Sequence, residues 1–159
     1  MWFLHHIVRR GYLLHGTNQR DVAALRTRET FDAHGQPIAA AFASDDAIWP
    51  LYFAVVNRPV AQSYINWCVH PGNDTSRYLF SIGSDPRDPA SWTDGAIYVL
   101  PAETFEHTRD SREFTSRVPV AARARLDVSP TDFPLKDKTR GHRRGDSVRK
   151  VAIMHALRL

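Results

Sequence analysis

The residues best suited to chemistry lie in Leu13-Leu14-His15-Gly16-Thr17-Asn18, an apolar run that ends in an imidazole, a glycine and a hydroxyl. A histidine at the end of a buried strand, followed by a residue without Cβ, sets a hydrogen-bonding ring beside backbone that a flat ligand can approach closely. The plainer reading of such a pair is a structural histidine at a strand end. What distinguishes the two is which other segments fold against it.

Other constellations offer less. Of the eight histidines, His5, His6, His34, His70, His107, His142 and His155 show neither the helical His-x-x-x-His spacing nor a cysteine partner, so no metal site is expected. Dinucleotide and phosphate glycine loops and the Gly-x-Ser-x-Gly nucleophile pattern are missing. Cys68 is the single cysteine, which rules out an intrachain disulfide and fits a reducing compartment. The first ten residues place Arg9 and Arg10 after the apolar run, the reverse of a signal peptide, and no later segment has membrane-spanning length. A cytoplasmic protein without membrane contact is the expectation. The net charge of +4 is spread along the chain except for one dense stretch, Lys136 to Lys150, which reads as a solvated loop or as a contact for nucleic acid or phosphate.

The elements that must position His15 can be read from patterning. At 159 residues and 43% apolar, with four Trp, eight Phe and five Tyr, the chain is the size of one domain with one core, residues 1–159. Trp49, Trp67 and Trp92 are expected as core anchors. Residues 2–8 form a short strand or a helical turn, and Tyr12 to His15 a buried strand broken by Gly16-Thr17-Asn18. From Gln19 to about Arg28 the spacing of Val22 and Leu25 predicts a short helix capped by Asn18. Residues 31–37 read as a loop and Ile38 to Ala43 as a strand, after which Ser44-Asp45-Asp46 caps a buried helix over Ala47 to Val56. Strands follow at 63–69, 77–82, 96–100 and 122–128, separated by loops at 70–74 and 84–89, with a helical turn after Pro101. An amphipathic helix spans about 146–159. Helices early and strands later indicate an α+β fold.

In their order along the chain, His15-Gly16-Thr17, then Ala40-Ala41-Phe42-Ala43-Ser44-Asp45, then Tyr52-Phe53 resemble the ADP-ribosyltransferase superfamily, in its diphtheria-toxin-like and poly(ADP-ribose) polymerase-like branch. The resemblance extends over residues 10–130 and implies a split, strongly bent, antiparallel-rich sheet holding NAD as co-substrate. It implies that His15 bonds a ribose hydroxyl, that the Gly16 backbone bonds the nicotinamide amide and that Thr17 holds the turn. Phe42 and either Tyr52 or Phe53 would sandwich the nicotinamide ring; the branch normally has Tyr where Phe42 stands. The branch's catalytic glutamate begins a later strand, which points to Glu113, with Glu103 and Glu106 as rivals. The activity implied is transfer of ADP-ribose to a macromolecule, nucleic acid or protein, as by a toxin of a toxin-antitoxin or defence pair. The partners are then an acceptor docking on 136–150 and an antitoxin protein. Alternatives on the same fold are a non-catalytic nucleic-acid- or protein-binding module and an RNA 2'-phosphotransferase-like enzyme.

Overall fold

Apolar runs of five to eight residues, bounded by Gly, Pro and Asp, dominate the chain, and in the computed structural model most of them are strands. The structure describes residues 2–31, 36–69, 77–108, 112–143 and 145–156. In order, the elements are α1 (Trp2–Arg9), β1 (Leu13–Thr17), β2 (Ala24–Leu25), β3 (Arg28–Phe31), β4 (Pro37–Ser44), α2 (Ile48–Val55), α3 (Arg58–Ala61), β5 (Tyr64–Val69) and β6 (Arg77–Ile82). There follow β7 (Gly95–Leu100), β8 (Glu106–His107), β9 (Glu113–Ser116), β10 (Val120–Ala121), β11 (Ala124–Val128), β12 (Arg140–Gly141) and α4 (Val148–Ala156). The fold is α+β and strand-rich, with strands distributed along the whole chain rather than confined to its second half. The loop expected at 70–74, most of that at 31–37 and the end of the C-terminal helix lie outside the described residues.

The chain divides into two compact units. The first comprises Met1–Val55 and Asp94–Phe133. Its main sheet runs β11-β7-β1-β4-β9-β8, with β3 also on β4, and every pairing is antiparallel. β7 is buried at every position because sheet neighbours flank it on both sides and α2 packs against it. Leu13, Ala43, Ala96, Tyr98, Leu100 and Val120 form a core cluster. A separate ribbon pairs β10 with β2. Helix α1 ends where Gly11, at a φ of +85°, donates its N–H to the Val8 carbonyl at 2.9 Å, a left-handed cap that costs other residues more.

The helix expected over residues 19–28 is instead an irregular segment followed by β2 and β3. Its would-be cap, Asn18, donates to the Ala54 carbonyl of α2 at 2.7 Å. The Val22 N–H donates to the Tyr98 hydroxyl at 3.0 Å, and that hydroxyl donates to the Gln19 carbonyl at 3.1 Å. Partners far along the chain thus take the backbone groups that an i to i−4 ladder would have used, and Val22 and Leu25 reach the core from an extended backbone.

The second unit comprises Val56–Thr93 and Pro134–Leu159. Its sheet is β12-β6-β5, with β12 parallel to β6 and β5 at the edge. Trp92 is buried, as expected, but Trp67 on the edge strand is 44% exposed, because among the described residues no further strand pairs with β5. His142 is buried here between two serines, with Nδ1 2.8 Å from Ser81 Oγ and Nε2 2.9 Å from Ser63 Oγ. The Ser81 hydroxyl donates to the Arg140 carbonyl at 2.9 Å, so its oxygen accepts from Nδ1–H and Nε2 is left to accept from Ser63.

Burial holds the His142 pKa below the ordinary histidine value, with nearby Asp146 pulling the other way. A folded pKa below the unfolded one means that the unfolded chain takes up the proton first as pH falls. Stability is therefore present above about pH 6.5 and is lost as the pH falls below it. Urea midpoints measured from pH 8 to pH 5 should decline for the parent chain and decline less for His142→Gln. Parallel curves for the two would refute this role.

Candidate active site

The sharp feature of the first unit is the way β1 meets its two neighbours. Five consecutive residues of β1 pair with β7, from Leu13 opposite Leu100 to Thr17 opposite Ala96. With β4 there is a single ladder pair, Leu14 opposite Ser44. Beyond it, where His15 and Gly16 would continue the ladder, the contact between the strands is made by a side chain: His15 Nδ1 lies 2.7 Å from the Phe42 carbonyl oxygen. A carbonyl only accepts, so Nδ1 carries the proton and Nε2 of the neutral ring has acceptor character. His15 is half-buried, as is Phe42.

Glu113 arrives from the other side of β4. Strand β9 pairs antiparallel with it, Glu113 opposite Ser44 and Thr115 opposite Phe42. Directly opposed residues share a sheet face and alternate residues along a strand return to it, so Ser44, Phe42 and Glu113 project on one face. The lead-in to Glu113 is anchored by Ser44, whose Oγ donates to the Arg112 carbonyl at 2.7 Å and accepts from the Asp46 N–H at 3.0 Å. Arg112 also lies 3.6 Å from the Asp45 carboxylate. Glu113 is half-buried, and desolvation raises its pKa above the ordinary carboxylate value. Glu103 and Glu106 are exposed, and Glu106 lies on the outer strand β8, opposite Thr115.

Helix α2 follows because the run Ser44-Asp45-Asp46 can cap it: Asp46 Oδ1 accepts from the Ile48 N–H at 2.6 Å. Its apolar surface packs against β1, β7 and β4. A Cβ on Gly16 would stand 1.7 Å from the Pro50 carbonyl oxygen, and one on Gly95 2.0 Å from that of Ala54. The space beside Gly16, expected to admit a flat ligand, is therefore filled by the first turn of α2. Within α2 the two candidate aromatics separate clearly. Tyr52 has no exposed surface and lies 5.7 Å from the Phe133 ring, whereas Phe53 is half-buried. Thr17 Oγ1 accepts from the Gln19 N–H at 3.2 Å and so does hold the turn after β1.

Phe42 and Glu113 thus project on one face of the sheet, whereas His15, one residue beyond the Leu14 that opposes Ser44, alternates to the other face and reaches β4 through its Nδ1 bond to the Phe42 carbonyl. Sequence reasoning missed Ser44 as the residue that ties β9 to β4. It read Ser44 as part of a helix-capping run, which it also is, and nothing local marks its second hydrogen bond. Among the described residues no group of three His, Cys, Asp or Glu side chains is placed to hold a metal ion, and no helix is long and apolar enough to cross a membrane. No family model, no curated protein and no solved structure matches this chain.

Proposed function

We propose that the first unit cleaves NAD at the nicotinamide glycosidic bond and transfers ADP-ribose to a macromolecular acceptor, on an ADP-ribosyltransferase-like split sheet. The observation that carries this reading is the junction of β1, β4 and β9, where an oriented imidazole stands at the lapsed β1–β4 ladder and a desolvated carboxylate opens the strand on the far side of β4. His15, oriented by the bond from its Nδ1–H to the Phe42 carbonyl, hydrogen-bonds a ribose hydroxyl. Because that bond uses the Phe42 main chain, a Phe where the superfamily normally carries Tyr leaves the His15 orientation intact. The Gly16 backbone, rather than the space beside its Cα, serves the nicotinamide amide. As the C–N bond breaks, its electron pair leaves with nicotinamide. Glu113 stabilises the cationic anomeric carbon that results, and an acceptor nucleophile then bonds to that carbon and gives up its proton to solvent.

Phe53 supplies the second aromatic face, since Tyr52 is spent on the core. The expected result is that Phe53→Leu raises the KM for NAD about tenfold with little change in thermal stability. Tyr52→Phe should leave the KM unchanged. The reverse pattern would exchange the two roles. The direct test of the function is nicotinamide release from NAD by the purified chain beside His15→Ala. Turnover that disappears in the variant supports the transferase. Absence of both turnover and NAD binding by calorimetry in the parent would favour the binding-module alternative.

A further inference from the structure

The positive charge of this protein is not shared between its units. The second unit carries eleven Lys and Arg against five Asp and no Glu, while the first carries ten against twelve Asp and Glu. A surplus of six on one small unit is an electrostatic footprint for a polyanion.

On that unit, the edge strand β5 and helix α4 form a groove of about 520 Å³ lined by Trp67, Val148, Arg149, Ala152 and Ile153. Its lining is apolar except for the Arg149 side chain. Val151 is turned inward and buried, whereas Val148 is 52% and Ile153 49% exposed. Trp67 offers its indole from the strand side. The neighbouring Lys150 is paired with Asp146, but Arg149 is exposed and, among the described residues, has no ion-pair partner.

An apolar slot with an aromatic wall and a guanidinium at its rim takes a flat, apolar-faced ring attached to an anion. We infer that the second unit binds single-stranded nucleic acid, with one base stacked on Trp67 and its phosphate on Arg149. Single strands are specified because a duplex hides the base faces that an indole can stack on. The charge surplus argues against an apolar protein segment as the occupant, since such a segment would use the groove without the cations around it. The inference does not depend on NAD chemistry, and binding without NAD tests it separately.

The experiment is fluorescence anisotropy of a labelled twelve-nucleotide homopyrimidine strand with the full chain, against a duplex of equal length and against poly-glutamate, over a series of salt concentrations. The strand should bind about tenfold or more tightly than either competitor. Trp67→Ala should weaken it by roughly 5- to 100-fold, in line with the loss of one stacked base. Arg149→Ala should reduce the slope of log affinity against log salt by about 0.7, one phosphate contact on a single strand. Trp67 is half exposed, and circular dichroism with Trp67→Phe, which should retain most of the binding, separates stacking from misfolding. Equal affinity for strand, duplex and poly-glutamate, or no effect of Trp67→Ala in a folded protein, would overturn the proposal.

Discussion

Glu113→Gln is expected to lower nicotinamide release by at least about 100-fold while leaving the folded chain as stable as the parent or more so at neutral pH. The rate follows from losing the negative charge aimed at the developing cation, an electrostatic effect of roughly 100- to 1000-fold in comparable sites. The stability follows from burial. Desolvation raises the Glu113 pKa, so the folded state favours the protonated carboxyl. A folded pKa above the unfolded one contributes stability at low pH that is lost as pH rises through the folded value. At neutral pH burial of this carboxyl is therefore a cost, and glutamine, which keeps the shape, removes it. Thermal unfolding at pH 7 and pH 4 should show the variant's advantage at pH 7 only. A variant less stable than the parent at pH 7 would refute burial as the dominant influence on this carboxyl.

The second large effect is on folding itself. Gly16→Ala should cost more than about 3 kcal/mol, beyond the usual range for an overpacked side chain, because the clash is with main chain rather than with a side chain that can turn away. The added Cβ falls 1.7 Å from the Pro50 carbonyl oxygen and 2.8 Å from its Cα, so the first turn of α2 must move as a body. Movement there drags Tyr52 and Leu51, both fully buried, out of their packing. A fall in Tm of about 10 °C or failure to accumulate as a folded protein is expected for a chain of this length. Gly11→Ala is the control. Nothing lies within 4 Å of the added Cβ, and its cost is confined to the left-handed backbone at a helix end. If Gly16→Ala were to unfold at the parent temperature, the close approach of α2 to β1 would be wrong.

Much of the first unit's framework is legible from local pattern. The run Ser44-Asp45-Asp46 announces α2, and Asp46 does cap it. Glu113 opens β9, a strand that the resemblance implied and the local pattern did not announce. Residues 19–28 are the instructive failure. Asn18, Val22 and Leu25 are spaced for a capped helix, yet the hydroxyl of Tyr98, 76 residues from Val22, competes successfully for that backbone. Trp67 misled in the same way, since an aromatic in a strand is read as core until the sheet is known to end there.

Composition and spacing alone determined the α+β class, the strand carrying His15, the helix that follows Asp46 and the location of the densest basic stretch. The strand and the helix each depend on residues within about ten positions, where backbone propensity, capping and alternation act. Tertiary structure alone decided that the β1 ladder to β4 lapses after Leu14, that Ser44 brings Glu113 opposite it and that Tyr52 is buried while Phe53 is half exposed. It also decided that the charge surplus falls on one unit. These are facts of register and of which strand becomes a neighbour, and they depend on long-range hydrogen bonds and burial that no window of sequence contains.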